Sequence, residues 1–235
     1  MNNIRHIFFD LDNTLWDHRK NAYLTIKDLF IKTNISEEYN IDFEIFHKTY
    51  NRINENLWEL IRDEKIDKEY LRKHRFYDTF LEFGIDNYNL SQYFEAHFLD
   101  QILSYNHLMD GTQECLDYLK SKEYKLHIIS NGFQEVTERK CILSGISNYF
   151  ESITSADSIG KRKPNTEIFA YALDKENANI GNSLMIGDDW IADIIGATNY
   201  GMKAIYFNVL DEDIPYSENL DFKTISNLKE LQNIL

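Results

Sequence analysis

The stretch HIFFDLDNTLW, residues 6–16, makes two demands on any fold that contains it. Ile4, Ile7, Phe8 and Phe9 form a short apolar run suited to a buried strand. Asp10 and Asp12 follow at once, two positions apart, and burying an unpartnered charge is costly. The fold must therefore bring something positive to the tip of this strand. Directly after it the pattern changes period. From about residue 18 to 104, apolar residues recur at three- and four-residue spacing, as at Phe43, Phe46, Tyr50, Ile53, Leu57 and Leu60. Ser36 and Ser91 are the expected helix starts there, and Gly84 an expected stop.

The rest of the chain alternates. Short β-branched or aromatic runs at 4–9, 124–129, 150–154, 183–186 and 203–207 are separated by helical patterns near 111–122, 133–144, 165–177 and 190–200. Strands alternating with helices predict an α/β fold with a Rossmann-like parallel sheet. The all-helical block interrupts that core soon after its first strand. The expected domains are thus a core of residues 1–16 and 105–235 and an inserted helical domain of 17–104. The segments 34–42 and 209–224 carry little pattern, and the second reads as a surface connection before a last short helix. With 43% hydrophobic residues in 235, the chain can bury a core of this size.

Polar residues gather where the strands end. Asp10 and Asp12 close the first, Ser130-Asn131-Gly132 the second, and Lys161-Arg162-Lys163-Pro164 follows the third after a loop. The fourth ends in Gly187-Asp188-Asp189, with Asp193 a short way into the next helix. In open parallel sheets these carboxyl ends share one edge, and ligands bind there. Each group has a plainer reading alone: a capping Asp, an ordinary turn, a solvated basic loop, acids answering a helix dipole. Their joint occurrence, in order and each at a strand end, favours a site. Converging Asp10, Asp12 and Asp188 repel one another, which a hard divalent cation such as Mg²⁺ relieves. The amides of Asn131 and Gly132 at a helix start, with the Ser130 hydroxyl, form an anion cradle, and a lysine balances the charge. Carboxylate nucleophile, metal, cradle and cation together make a phosphoryl-transfer site.

The bulk charge narrows the partners. A formal charge of −14 argues against a nucleic acid polymer as ligand, though not against a small anion bound beside a metal. Cys115 and Cys141 have no metal-site or disulfide-framework spacing, and no apolar run approaches membrane-spanning length. A cytoplasmic protein without membrane contact, monomer or homodimer, is the expectation.

These residues resemble the haloacid dehalogenase (HAD) superfamily, whose four motifs are matched by FFDLDNTL, Ser130, the KP at Lys163 and GDDWIAD. The resemblance implies Asp10 as nucleophile forming an aspartyl-phosphate, and Asp12 as general acid and then base. It implies Mg²⁺ on the side chains of Asp10 and Asp188 and the backbone carbonyl of Asp12. Ser130 and Asn131 would bind phosphoryl oxygens, Lys163 would neutralise charge, Asp193 would support the metal shell, and Thr14 would orient the first loop. The helical insertion resembles that family's mobile cap. Lys161 is a reserve for Lys163. Asp189, where relatives often carry serine or threonine, either reaches the metal through water or caps the helix, the second being preferred. Arg75 and Phe133 are candidates to face a substrate, against plainer readings as a solvated arginine and a core aromatic.

A narrower likeness, in INENLWELIRDEKIDKEYLRKHRFYDTFLEFGI, YNHLMDGTQECLDYL and MIGDDWIADIIGATNYGMKAIYFN, is to the noncanonical pyrimidine nucleotidases. It implies hydrolysis of pyrimidine nucleoside 5′-monophosphates such as UMP, dUMP and dTMP, including modified bases. The alternatives are a phosphatase of small metabolites such as phosphoglycolate or sugar phosphates, a 2-haloacid dehalogenase, and a Mg²⁺-binding module without activity. Halide departure needs neither proton nor metal, so the presence of both Asp12 and Asp188 speaks against dehalogenation.

Overall fold

Every side chain of β1 (His6–Phe9) is buried, so this strand needs neighbours on both edges and cover on both faces. Parallel strands β2 (Lys125–Ser130) and β4 (Ser183–Gly187) supply the edges. Outside β2 lies β3 (Phe150–Ser155), and outside β4 lie β5 (Lys203–Phe207) and β6 (Phe222–Ile225), so the order is β3-β2-β1-β4-β5-β6. The structure, a computed structural model, describes residues 3–215 and 220–235. Every strand pairing in the sheet is parallel, and the chain turns from one side of β1 to the other between β3 and β4. A crevice forms at such a reversal outside the carboxyl ends of the strands.

The chain divides into two compact units, one of Met1–Asp17 with His107–Leu235 and the other of His18–Asn106. The outgoing and returning chain are pinned together within the first unit: Trp16 bridges Leu108, and the Asp17 amide donates to the His107 carbonyl at 3.0 Å.

In the helical unit, α1 (His18–Lys32), α2 (Ile35–Tyr39), α3 (Phe43–Arg62), α4 (Lys68–Glu82) and α5 (Tyr88–Gln101) follow one another. The buried stripe of α3 is Phe46, Tyr50, Ile53, Leu57 and Ile61, with the ring of Tyr50 stacked on Phe76 at 4.9 Å. The helix starts differ from those expected. Asp42, Asp67 and Asn87 cap α3, α4 and α5 with their side chains, whereas Ser36 lies inside α2 and Ser91 inside α5. Asp and Asn cap as well as Ser does, so the residue type alone left the turn undecided. Gly84, at φ 75°, does follow the end of α4.

In the α/β unit, α6 (Thr112–Ser121), α7 (Gln134–Leu143), α8 (Ala156–Ile159), α9 (Thr166–Lys175) and α10 (Gly196–Tyr200) connect the strands. Phe8, Ile129 and Met185 from adjacent strands pack with Ile168 and Phe169 of α9. The segment 209–224, read above as a surface connection, contains the start of β6; its residues 216–219 lie outside the described ones. Of β6 only Ile225 is buried, so this edge strand carries no apolar run to reveal it. No described helix is long and apolar enough to cross a membrane.

The sheet also buries a histidine pair. His6 Nδ1 and His127 Nε2 lie 3.0 Å apart, His127 Nδ1 lies 3.0 Å from Ser152 Oγ, and the His127 ring stacks on Phe8. Burial foremost, then His6 and Lys125 nearby, pulls the His127 pKa down to about 3. A folded pKa below the unfolded value means that the unfolded chain takes up protons first as pH falls. Stability from this pair is therefore complete above about pH 6.5 and lost below it, by up to ~1.4 kcal/mol per pH unit for each histidine held neutral. Denaturation midpoints measured from pH 7 to 4 should fall more steeply for the native chain than for His127→Phe.

Candidate active site

Parallel pairing fixes which residues meet at the strand ends. Phe9 stands opposite Ile128 on one side and Ile186 on the other, and the Asp10 amide extends the ladder by donating to the Ile186 carbonyl at 2.8 Å. Asp10 thus sits level with Ile129 and Gly187. Lys163, only 1% exposed, reaches in from the loop after β3 and α8. Its ammonium donates to Asp10 Oδ1 at 2.5 Å, Asp193 Oδ1 at 2.6 Å and the Ile129 carbonyl at 2.7 Å. Burial opposes that ammonium, but the two carboxylates outweigh it and push its pKa up. Burial is also what pushes the Asp10 carboxyl up against the pull of Lys163, and what pushes Asp193 up to about 7.

The loop after β1 is a tight one. Asn13 takes φ 62°, its amide donates to the Trp16 carbonyl at 2.7 Å, and the Trp16 amide returns to the Leu11 carbonyl. Asn is among the residues that tolerate this left-handed backbone, so Asp10 and Asp12 can face different groups despite lying two apart. Thr14 is fully buried, and its hydroxyl donates to Asp188 Oδ1 at 3.1 Å. Its visible task is to hold Asp188 to the first loop.

After β4 the chain makes a π-helical turn, Trp190–Ile195, in place of the regular helix start expected near 190. Asp189 caps it, Oδ1 accepting from the amides of Ile191 and Ala192 at 2.9 Å each. The wide turn swings Asp193 back beneath the strand end, where Oδ2 accepts from the Asp189 amide at 3.0 Å. A Cβ at Gly187 would collide with the Asp193 carboxylate, so a side chain there is excluded. Asp193 is thereby committed on both oxygens and acts on the site by holding Lys163.

The Ser130–Gly132 loop departs from the expected cradle. Ser130 is buried, and its hydroxyl accepts from the Gly132 amide at 3.0 Å, so that amide serves the turn. The Asn131 side chain clamps the Lys163 backbone, accepting from its amide at 2.7 Å and donating to its carbonyl at 2.9 Å. Helix α7 begins only at Gln134, with Phe133 at its cap position. The Asn131 side chain thus positions Lys163, and of the expected cradle the Gly132 amide is the donor spent within the turn. Phe133 is 5% exposed and belongs to the core.

Arg75 is the other correction. It is neither on a solvated face nor turned to a substrate but sealed in the helical unit, 4% exposed. Its Nε and Nη2 donate to the two oxygens of Glu95 at 2.6 and 2.8 Å, and its guanidinium lies 4.6 Å from the Phe98 ring centre. Sequence reasoning missed this pair because Arg75 and Glu95 sit on different helices. It also missed Lys140, whose ammonium donates to Asp12 Oδ1 at 2.6 Å. The only trace of Lys140 in the sequence is a charge within the helix that follows Ser130.

Oxygens of Asp10, Asp188 and Asp193 lie within 4.8 Å of one another. Together with Asp12 they outnumber the ammoniums of Lys163 and Lys140, so the site carries an excess of negative charge gathered on oxygen. That donor set fits a hard divalent cation, which Asp10 and Asp188 would hold, since Asp193 is already engaged.

A family model, described as haloacid dehalogenase-like hydrolase, matches residues 4–201. Among curated proteins, a glyceraldehyde 3-phosphate phosphatase of Methanothermobacter thermautotrophicus is 36% identical over 129 residues, 53% of this chain and 57% of that protein. The pyrimidine 5′-nucleotidase PynA of Streptococcus pneumoniae is 27% identical over 208 residues, 87% of this chain and 84% of that one. Among solved structures, the HAD-hydrolase YfnB of Bacillus subtilis, crystallised with magnesium, superposes with a TM-score of 0.87 at 24% identity, covering 99% and 98% of the two chains.

The buried ion pair yields a direct check. Arg75→Leu should lower stability by ~3 kcal/mol, because Glu95 keeps a buried charge with the half-exposed Arg72 as its remaining ion-pair partner among the described residues, and leave KM unchanged. A tenfold rise in KM at unaltered stability would return Arg75 to the substrate.

Proposed function

We propose that this chain, which belongs to the haloacid dehalogenase-like hydrolases, is a Mg²⁺-dependent phosphomonoesterase working through an aspartyl-phosphate on Asp10. The observation that carries this reading is the Asp10 carboxylate at the tip of β1, tied through Oδ1 to Lys163 and facing Asp188 across the strand ends. The pinned oxygen fixes the carboxylate, and its other oxygen attacks phosphorus. As that bond forms, the bond from phosphorus to the ester oxygen breaks, and the proton on Asp12 goes to the departing alcohol. In the second step water attacks the acyl phosphate, Asp12 takes its proton, and inorganic phosphate leaves Asp10.

Ser130 donates to a phosphoryl oxygen, and Lys163 offsets charge on nucleophile and phosphate. Mg²⁺, held by Asp10, Asp188 and the Asp12 carbonyl, would supply charge neutralisation for the phosphoryl group. Asp12 is also what sets this chemistry apart from dehalogenation, which releases halide without needing a proton.

The substrate class we assign is pyrimidine nucleoside 5′-monophosphates, on the likeness to PynA over most of both chains. A second reading, a small phosphorylated aldehyde or sugar, is favoured by the matches to glyceraldehyde 3-phosphate phosphatases, one of which spans the whole chain.

Phosphate release from p-nitrophenyl phosphate should stop in excess EDTA, return with Mg²⁺, and fall by about a thousandfold or more in Asp10→Asn. Full activity in EDTA would sink the mechanism. On a panel of phosphomonoesters, UMP, dUMP and dTMP should lead; if glyceraldehyde 3-phosphate or phosphoglycolate outruns them, the nucleotidase assignment goes and the phosphatase stays. Asp12→Asn should cut turnover by about a hundredfold or more with Mg²⁺ affinity held, because the ligand it offers is a backbone carbonyl.

A further inference from the structure

Lys140 is buried, 5% exposed, on the helix that follows the Ser130 loop. Burying an ammonium is costly, and a leucine or methionine would fill the same space without that cost. Two partners define its position. Its Nζ donates to Asp12 Oδ1 at 2.6 Å and stands 4.3 Å from the centre of the Trp16 ring. Trp16 closes the tight first loop, so both ends of that loop bear on one ammonium. A Cβ built on Gly132 would stand 3.7 Å from Asp12 Oδ2 and 3.1 Å from Ser130 Oγ. Oδ1 is thus tethered, and both Oδ2 and the Ser130 hydroxyl lie within 4 Å of the point where a Gly132 Cβ would stand.

We propose that Lys140 is a positioning residue: it fixes the rotamer of Asp12 so that Oδ2 faces the oxygen that leaves phosphorus and, later, the attacking water. This rests on the phosphatase reading above. Lys140 does not touch the reacting atoms, and its effect is confined to the steps in which Asp12 moves a proton. Without this 2.6 Å contact Asp12 would lose part of the alignment on which proton transfer depends.

That confinement makes the role separable from a structural one. Breaking an aryl ester to p-nitrophenolate needs no proton donor, whereas breaking an alkyl ester does, and hydrolysis of the acyl phosphate needs Asp12 as base whatever the leaving group was. The experiment compares the native enzyme with Lys140→Met, which keeps the stem, and Lys140→Arg, which keeps the charge. Rapid mixing with p-nitrophenyl phosphate follows the first equivalent of nitrophenolate. Steady-state phosphate release follows whichever of UMP and glyceraldehyde 3-phosphate the native enzyme turns over.

In Lys140→Met the nitrophenolate burst should keep its rate within about threefold, while kcat on the alkyl ester falls by about thirtyfold or more at little-changed KM. Lys140→Arg should recover most of that loss. The proposal is overturned if Lys140→Met keeps kcat on the alkyl ester. It is overturned equally if the burst falls in step with kcat, in Lys140→Met or, should that variant not fold, in Lys140→Arg. A native enzyme that releases phosphate from none of these esters instead overturns the phosphatase reading itself.

Discussion

The ammonium of Lys163 holds the α/β unit's functional edge together. It lies between Asp10 at the end of β1 and Asp193 in the turn after β4, and it also donates to the Ile129 carbonyl at the end of β2. Three segments distant in sequence therefore share one buried cation. Much of the surrounding architecture serves to keep that cation in place. Asn131 clamps its backbone with two hydrogen bonds, the π-helical turn brings Asp193 beneath it, and Gly187 leaves the room that the Asp193 carboxylate occupies. A charge taken out of water survives only where its partners are both close and fixed, and these contacts supply both conditions.

A second lysine repeats the arrangement on the other side of the first loop. Lys163 pins one oxygen of Asp10, and Lys140 pins one oxygen of Asp12. In each case the proposed reaction uses the other carboxylate oxygen, as nucleophile or as proton carrier. Asn13, with its left-handed backbone, is what lets two acids only two residues apart serve such different neighbours. The pairs differ in exposure: Lys163 and Asp193 are sealed, the Asp10 side chain is 11% exposed and the Asp12 side chain 29%. Asp12, the more open carboxylate, is the one the proposed reaction uses to pass protons.

The helical unit carries a buried charge of another kind. Arg75 and Glu95 join α4 to α5 amid aromatic rings. Nothing in the spacing of a single helix announces such a pair, because the periodicity that reveals an apolar stripe says nothing about which charged residue lies within it.

Chain order and residue type were enough to determine the alternation of strands and helices, the interruption after the first strand, and the list of acids, hydroxyl and lysine at the strand ends. These are local properties: a period, an apolar run, a polar residue where the run stops. Tertiary structure decided the pairings. It chose Lys163 to reach Asp10, set the Asn131 side chain as a clamp on Lys163, spent the Gly132 amide on Ser130, and brought Lys140 to Asp12. It also added β6, an edge strand with one buried side chain and so no run of its own. The physical reason is common to all of these: a hydrogen bond or ion pair depends on where two side chains end in space, and for residues far apart in the chain only the packing of the sheet sets that distance.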